Sequence, residues 1–413
     1  MMSQLVPILN DIQQNAFNKI ECGNDNVLIL GQAGAGKSTF VNYLKSTGVK
    51  DNHIIKIALD REENIKYHDS KLLNEYIFSQ IKDDDIYYII LDEIQLVDGF
   101  EYVLNGLQYE KNLDVYVTGS NSKFLSSDII TEFRGRGDQV RVFPLSFDEF
   151  VSAFAGDKYE AWNEYVIYGG LPLILSKKTD EEKSQYLKEE FEKTYIKDII
   201  ERNNIQRIDI LDAIINMLSS SIGSLTNPQK IFDTFKSNGE KELSLNTINS
   251  YIKYIEDAFI INKSNRYDIK GKKYIQTPQK YYFSDIGLRN ARLNFRQQEE
   301  NHIMENIIYN ELLVRGYNVD VGVVEIREEN KNRKQLEIDF VCNLGTKRYY
   351  IQSSLNLDTR EKTLQEERPL ININDNFKKI IIVKDTIKHL YTEEVILVIG
   401  IQEFLLNKNS LDF

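Results

Sequence analysis

A glycine-rich turn near the amino end carries groups suited to phosphate binding. The stretch GQAGAGKST at residues 31–39 contains the pattern GxxxxGK[ST]. It follows the apolar run NVLIL and precedes the amphipathic stretch STFVNYLKS, which predicts a strand, a turn and a helix in that order. Backbone N–H groups in such a turn point at phosphate oxygens, and the helix N-terminus adds partial positive charge. The pattern indicates a phosphate-binding loop; the alternative is a glycine turn that only joins a strand to a helix.

The positions of this turn have predicted roles in binding ATP and Mg²⁺. Lys37 would reach the β- and γ-phosphates, which makes it a catalytic as well as a binding residue, and the hydroxyl of Ser38 would bind Mg²⁺. The backbone of the other positions would surround the phosphates. The predicted nucleotide-binding residues are Gly31, Gln32, Ala33, Gly34, Ala35, Gly36, Lys37, Ser38 and Thr39.

A pair of carboxylates supplies the second half of such a site. The apolar run IYYIIL ends at Asp92 and Glu93. Asp92 fits the role of holding Mg²⁺ through water, and Glu93 fits the role of general base for the attacking water. The alternative interpretation is the solvated start of a helix. Because the phosphate-binding loop needs such a partner, we favour the catalytic interpretation.

Polar groups follow the next predicted strand, DVYVTGS. Thr118, Ser120 and Asn121 would face the carboxyl edge of the sheet, where ligands bind in open α/β folds. We favour Asn121 as the group that senses the γ-phosphate. The alternative is a turn, TGSNS, that its own side chains stabilise.

Two arginines flank a glycine in EFRGRGDQV, shortly before the last predicted strand of this region. Arg134 or Arg136 would act as an arginine finger on the transition-state charge, within the chain or from a neighbouring subunit. The alternative is that both are surface arginines paired with Glu132 or Asp138.

Five predicted strands must position these groups. They are NVLILG, HIIKIALD, IYYIILDE, DVYVTGS and QVRVFPL. Each is apolar over nearly its whole length and helical segments separate them, which is typical of a parallel sheet covered by helices. An Asp-Glu pair after the third strand indicates the P-loop NTPase class in which a further strand inserts between the two motifs. The predicted fold is therefore α/β with the strand order 5-1-4-3-2.

The length and composition indicate a globular chain of more than one domain. With 413 residues and 48.2 kDa, it exceeds the usual size of one hydrophobic core. The net charge of −12 argues against a protein that binds polyanions over its whole surface. It is compatible with a local basic patch. Cys22 and Cys342 are too far apart to indicate a disulfide framework or a zinc site. We found neither a membrane-spanning stretch nor a secretory signal, so we expect a cytoplasmic protein without a membrane partner.

Long motifs throughout the chain resemble the archaeal-type AAA ATPases of prokaryotes. They include YYIILDEIQLVDGFEYVLNGLQ, YGGLPLIL, YIKDIIERNNI, YYFSDIGLRN, ENIIYNELLVRGYNV and EIDFV with YYIQSS. The resemblance implies an ATPase core at 1–146, a helical lid at 147–204, a winged helix at 205–295 and a degenerate PD-(D/E)xK nuclease-like tail at 296–413. The chain departs from that family where a pair of arginines is usual in the loop. It has Gln32-Ala33-Gly34-Ala35 there, and Gln13 or Gln14 upstream as candidate adenine contacts.

A helix in SLNTINSYIKYIEDAFII supports the winged-helix interpretation. Its apolar positions recur every three or four residues at Leu245, Ile248, Ile252, Ile255 and Phe259. If the unit binds DNA, the opposite face enters the major groove and the lysine-rich tip at 270–273 meets phosphate. That opposite face consists of Asn246, Thr247, Asn249, Ser250 and Lys253. The alternative is a packing or partner module, which the acidic net charge favours.

The tail has the residue order of a nuclease-like site. Glu305 lies in a predicted helix, Asp339 ends the strand LEIDF, and Gln352 lies in the next strand, YYIQSS. Active enzymes of this type need carboxylates for Mg²⁺ and a lysine two residues beyond the second ligand. Ser354 occupies the lysine position and carries no charge. We therefore expect a vestigial site in a module that serves structure or interaction.

These features lead to two functional hypotheses. In the first, Mg²⁺-dependent ATP hydrolysis switches the lid, winged helix and tail, and regulates a protein partner or a homo-oligomer. In the second, ATP hydrolysis drives DNA processing through the winged helix and the nuclease-like tail. A nucleotide-binding scaffold without turnover is disfavoured, since binding alone would not require Glu93.

Overall fold

A computed structural model describes residues 26–30, 48–119, 137–240, 242–327 and 333–413. Its described residues fall into two compact units. The first contains the described residues up to Pro144 together with 171–178 and 257–259. The second contains 145–170, 179–256 and 260–413.

The first unit is built on a five-stranded parallel sheet. Its strands are β1 Asn26–Leu30, β2 Ile54–Ala58, β3 Tyr87–Asp92, β4 Leu113–Gly119 and β5 Gly137–Arg141. They lie in the order β2-β3-β4-β1-β5, and all four neighbouring pairs are parallel. This arrangement confirms the predicted strands and the predicted order, 5-1-4-3-2. All seven residues of β4 are buried, as expected for a central strand covered on both faces.

Two helices of this unit pack against β2, β3 and β4. They are α1 Ser70–Gln80 and α2 Phe100–Leu107. Asp69 begins α1, because its side chain accepts hydrogen bonds from the backbone N–H groups of Lys71 and Leu72. The two helices contribute Leu73 and Ile77, and Val103, Leu104 and Leu107, to the apolar core beside the sheet.

The second unit contains an eight-stranded mixed sheet. Its strands are β6 Ile261–Asp268, β7 Lys273–Phe283, β8 Asn318–Arg327, β9 Arg333–Leu344, β10 Lys347–Ser354, β11 Lys378–Val383, β12 His389–Tyr391 and β13 Leu397–Gly400. The order is β12-β13-β11-β10-β9-β8-β6-β7. The hairpin β6–β7 joins this sheet because β6 pairs in parallel with β8. The predicted boundary at residue 295 remains a prediction, and one sheet contains strands from both sides of it.

Eleven helices of the second unit lie within the described residues. They are α3 Phe147–Ala153, α4 Lys158–Tyr168, α5 Asp180–Glu189, α6 Lys197–Asn203, α7 Ile208–Ser220, α8 Pro228–Ser237, α9 Leu245–Asp257, α10 Ile286–Arg292, α11 Glu300–Val314, α12 Arg360–Ile371 and α13 Ile401–Leu406. A π-helical stretch, Glu190–Ile196, connects α5 to α6. In the parts of the chain that the structure describes, no helix combines the length and the apolar character of a membrane span.

The apolar face of α9 agrees with its predicted spacing over most of its length. Ile248, Ile252 and Ile255 are buried, and Leu245 is half-buried. Phe259 is a correction, because α9 ends at Asp257 and Phe259 has a left-handed backbone with φ 56°. The chain turns there toward β6, and the Phe259 side chain belongs to the apolar core of the first unit.

Candidate functional site

The carboxyl edge of the five-stranded sheet contains the carboxylate pair and the end of the strand that precedes the glycine-rich motif in the sequence. β1 ends at Leu30, directly before the glycine-rich turn, and β3 ends at Asp92. β4 lies between them, with Leu30 paired to Gly119 and Leu91 paired to Val117. Since neighbouring strands lie about 4.8 Å apart, β1 and β3 are separated by about 10 Å. The end of β1 and the carboxylate pair therefore share one edge of the sheet.

Thr118 holds the carboxylate pair from the neighbouring strand. Its hydroxyl donates a hydrogen bond to Oδ1 of Asp92 and accepts one from the backbone N–H of Glu93, at 3.3 Å. Thr118 is buried, with 2% of its surface exposed. Sequence reasoning placed this residue among the polar groups at the edge. Its contacts make it a positioning residue for Asp92 and Glu93.

The backbone of Glu93 adopts a left-handed conformation, with φ 57° and ψ 48°. A residue with a Cβ atom pays about 1–2 kcal/mol for this geometry. A short 3-10 turn, Ile94–Leu96, follows, and the Glu93 side chain makes no capping hydrogen bond to it. Oε2 of Glu93 accepts instead from the side-chain amide of Gln95. The half-buried carboxylate is therefore held by a strained turn and a neighbouring amide, unlike a solvated cap at a helix start.

Several predicted site residues lie outside the described residues. They are Gly31, Gln32, Ala33, Gly34, Ala35, Gly36, Lys37, Ser38 and Thr39 of the turn, Ser120 and Asn121 after β4, Arg134 and Arg136 before β5, and Gln13 and Gln14 upstream. Their roles stay predictions. Asp92, Glu93 and Thr118 are the members of the predicted ATPase site that the structure describes.

The three predicted tail residues lie together in the second unit. Glu305 in α11 and Asp339 in β9 both contact the ammonium group of Lys280 in β7. The side-chain oxygen of Gln352 in β10 accepts from the backbone N–H of Asp339 at 3.4 Å. Glu337, also in β9, contacts Lys280 as well. We call Lys280, Glu305, Glu337 and Asp339 the ion cluster.

Sequence reasoning missed Lys280 and Glu337. A cation accompanies the tail carboxylates although position 354 is a serine, because Lys280 comes from the hairpin β6–β7. The hydroxyl of Ser354 donates to the backbone oxygen of Asn356 at 3.0 Å. Glu337 had a signal, since residues two apart in a strand face the same side. For Lys280 the sequence contained one signal, its position directly before the apolar run YYF. This position indicates burial but does not indicate which residues the lysine contacts.

Burial and charge act against each other in the ion cluster. Burial raises the pKa of Glu305 to about 7, although Lys280 opposes this shift. Burial disfavours charge on Lys280, but Glu305, Asp339 and Glu337 outweigh it and raise the pKa of the lysine. Lys280 is therefore charged at neutral pH. The cluster lines a cleft of about 660 Å³ together with Gln352, Lys334, Lys362 and Arg368.

The predicted DNA-facing side of α9 is accessible in the second unit. Asn246, Asn249 and Lys253 are exposed, and Thr247 and Ser250 are half-buried. The lysine-rich tip at 270–273 is exposed, with Nζ of Lys270 donating to the backbone oxygen of Glu325 at 2.9 Å. Exposure permits contact with either nucleic acid or protein, so the assignment of DNA to this face stays a prediction.

Family models match two segments of the chain. Residues 23–151 match an AAA domain, a segment that contains the glycine-rich turn, Asp92 and Glu93. Residues 159–299 match a domain of unknown function, DUF8612.

Two similar proteins span most of the chain. An uncharacterized protein of Haemophilus influenzae is 31% identical over 366 residues, which cover 86% of this chain and 88% of the relative. An uncharacterized protein of Methanocaldococcus jannaschii is 27% identical over 348 residues, which cover 81% of this chain and 76% of the relative.

Solved structures give weaker similarities. The ORC1 protein of Aeropyrum pernix in complex with DNA is 13% identical and has a TM-score of 0.27, covering 71% of this chain and 92% of that chain. The RuvB Holliday junction branch migration motor of Thermotoga maritima is 14% identical and has a TM-score of 0.29, covering 64% and 92%. On the identity and extent of the Haemophilus influenzae similarity, the chain belongs to the same family as this relative, and its residues 23–151 match an AAA domain.

Proposed function

We propose that the protein is a Mg²⁺-dependent ATPase whose nucleotide state acts as a conformational switch. The observation that carries the proposal is the pair Asp92 and Glu93, fixed by Thr118 at the sheet edge where β1 ends, directly before the GxxxxGKS motif in the sequence. A site that only bound nucleotide would not need a half-buried second carboxylate in a strained backbone conformation. The match of residues 23–151 to an AAA domain supports the same reaction class.

The donor set fits a magnesium nucleotide. Oxygen ligands suit Mg²⁺, and Asp92 together with the Ser38 hydroxyl would supply them, while Lys37 and the backbone of 31–39 would hold the phosphates. Bound Mg²⁺ would neutralise charge on the phosphate oxygens. Glu93 would orient the attacking water and accept its proton at a carboxylate oxygen. We assign Asn121 to sensing the γ-phosphate and Arg134 or Arg136 to stabilising the transition-state charge.

The proposal assigns ATP hydrolysis to an ATPase core at 1–146. The helical lid at 147–204, the winged helix at 205–295 and the nuclease-like tail at 296–413 would respond to the nucleotide state. The tail would serve as an interaction module for a protein partner or a second copy of the chain. A DNA-processing enzyme is the alternative, and the exposed lysine-rich tip at 270–273 is the feature that favours it.

The test is ATP hydrolysis by the purified full chain with and without single- and double-stranded DNA. We expect slow basal hydrolysis that DNA does not change and that Lys37→Ala abolishes. A DNA stimulation that weakens as salt rises would support the DNA-processing alternative, because phosphate contacts release counterions. Equal hydrolysis by the wild type and Lys37→Ala would refute the ATPase assignment itself.

A further inference from the structure

The ammonium group of Lys280 lies at the point where three carboxylates converge. Its Nζ atom is 2.8 Å from Oε1 of Glu305, 2.8 Å from Oε1 of Glu337 and 3.3 Å from Oδ1 of Asp339. Only 3% of the Lys280 side chain is exposed. Several carboxylate oxygens around one point are the environment that hard divalent cations bind. In this protein an ammonium group of the chain itself occupies that point.

The carboxylate oxygens around this point have further donors from the protein. The hydroxyl of Tyr282 donates to Oε1 of Glu305 at 2.6 Å, and the backbone N–H of Ser353 donates to Oδ2 of Asp339 at 2.9 Å. A divalent cation at the centre would have to break some of these bonds. It would also lie within a few ångströms of the ammonium charge, which repels it strongly in a buried site.

The elements that meet at the ion cluster are distant in the sequence. Lys280 belongs to the hairpin β6–β7, Glu305 to helix α11, and Glu337 and Asp339 to strand β9. The hairpin reaches the sheet through β6 and β8, so that β7 is the last strand, and the backbone of Gln279 beside Lys280 pairs with Thr226 on its outer side. Withdrawing the ammonium group, by reorientation of the Lys280 side chain or by opening of this pairing, would leave three carboxylates facing a cleft of about 660 Å³.

We propose that Lys280 is a built-in cation that keeps this cleft from binding divalent metal ions. Through the chain's own lysine, the contact between the hairpin and the carboxylates of α11 and β9 blocks metal binding. The cleft acquires a metal site only when Lys280 is withdrawn. Three carboxylates and one ammonium carry a formal charge of −2. Without the ammonium group, the three carboxylates would have a formal charge of −3. This charge would favour the binding of a divalent cation. The proposal does not depend on ATP hydrolysis by the first unit.

The test is Mn²⁺ binding by the full chain without nucleotide. The electron paramagnetic resonance signal of the free ion measures how much Mn²⁺ the protein has bound. We expect Lys280→Ala to bind one Mn²⁺ per chain more than the wild type, at least tenfold more tightly than any site in the wild type. The double variant Lys280→Ala with Asp339→Asn should lose that ion. Lys273→Ala, which removes an exposed lysine from the same strand, is the matched control and should resemble the wild type.

Two results would overturn the proposal. One is a wild-type Mn²⁺ site that Asp339→Asn removes, since Lys280 would then fail to exclude metal. The other is a folded Lys280→Ala variant that binds no more Mn²⁺ than the wild type.

A thermal unfolding series decides the case in which removal of Lys280 prevents folding. Lys280→Met leaves the buried carboxylates of Glu305 and Asp339 without their cation, so its Tm should fall well below that of the wild type. Adding Glu305→Gln and Asp339→Asn removes these two charges and should restore most of the lost Tm. If the additional substitutions lower the Tm further, the carboxylates do not depend on Lys280 and the proposal fails.

Discussion

Three described residues belong to the proposed ATPase site: Asp92 and Glu93, and Thr118, which positions them. Asp92 and Glu93 could be predicted from the sequence because an acidic pair after an apolar strand complements a GxxxxGK[ST] turn. The role of Thr118 could not, since it depends on the register of β4 beside β3, which the predicted strand order does not specify. Parallel pairing of β3 and β4 brings its hydroxyl to Asp92.

Replacing Glu93 by glutamine should preserve ATP binding and lower kcat by about 100-fold or more, because a general base contributes roughly 10²–10⁴ to the rate. Single-turnover hydrolysis, combined with ATP binding by equilibrium dialysis, measures both effects. Glu110→Gln, which neutralises an exposed carboxylate of the same unit, should leave both unchanged. Normal hydrolysis by Glu93→Gln would remove Glu93 from its assigned role.

Replacing Thr118 by valine should raise the Mg²⁺ concentration needed for half-maximal hydrolysis by about 5–50-fold. The reason is the lost donor to Asp92, since a hydrogen bond to a charged group contributes about 1.5–3 kcal/mol and only part of it affects Mg²⁺. Thr118→Ser retains the hydroxyl and should rescue the Mg²⁺ dependence. If valine and serine behave alike, the hydroxyl does not position Asp92.

Packing between elements explains two of the sequence motifs quoted above. The backbone N–H of Gly170, in YGGLP, donates to Oδ2 of Asp285, in SDIGLRN, at 2.7 Å. Oδ1 of Asp285 accepts from Leu288 N–H at 3.0 Å and begins α10. The Asn290 amide donates to the backbone oxygens of Val166 and Ile167 in α4. These polar contacts fix the end of α4 against α10.

A Gly287→Ala substitution should destabilise the second unit by about 1–3 kcal/mol, because overpacking a filled site has this cost. A Cβ atom at Gly287 would lie 2.0 Å from the backbone oxygen of Tyr168. Chemical denaturation measures the change in the free energy of unfolding. Gly106→Ala is the control, since its Cβ would meet open space within α2 and should be neutral or stabilising by up to about 1 kcal/mol. Equal effects of the two substitutions would contradict close packing at Gly287.

The stability of the α4–α10 contact should fall as pH rises from about 4 to 6. Burial raises the pKa of Asp285 from 3.8 to about 6, against the N–H groups of Gly170, Leu288 and Gly287, which lower it. The folded state therefore retains a proton that the unfolded state has released, and the unfolding free energy declines by about 3 kcal/mol over this window. Asp285→Asn should lack this decline when unfolding is measured at several pH values. Parallel pH profiles for the two proteins would contradict the raised pKa.

The sequence predicts more of the elements than of their contacts. The five strands of the first sheet could be predicted, because buried parallel strands are continuously apolar. Their order could be predicted, because the glycine-rich motif follows β1 and the Asp92–Glu93 pair follows β3, with one strand expected between them in space. The end of α9 was misjudged, since Phe259 continues the helical spacing although the chain has already turned. Lys280 could not be predicted to meet Glu305, because only tertiary folding joins residues 25 positions apart in β7 and α11.

At the level of the whole molecule, the chain combines a segment that matches an AAA domain with a second, larger unit. The AAA-domain match covers residues 23–151, and the similarity to the Haemophilus influenzae protein extends over 366 residues. The similarity to this relative therefore extends beyond the AAA domain into the second unit. In the proposed function, nucleotide binding by the core is the event to which the remaining domains respond.

Calorimetric titration of Mg²⁺–ATP into the intact protein tests this central claim most directly. The account predicts saturable binding of one nucleotide per chain by the wild type, and binding weakened at least 100-fold in Lys37→Ala, because the lysine contacts the β- and γ-phosphates. Glu93→Gln should bind like the wild type. Absence of binding by folded wild-type protein, or equal binding by Lys37→Ala, would contradict the assignment of the 31–39 turn and the Asp92–Glu93 pair to ATP.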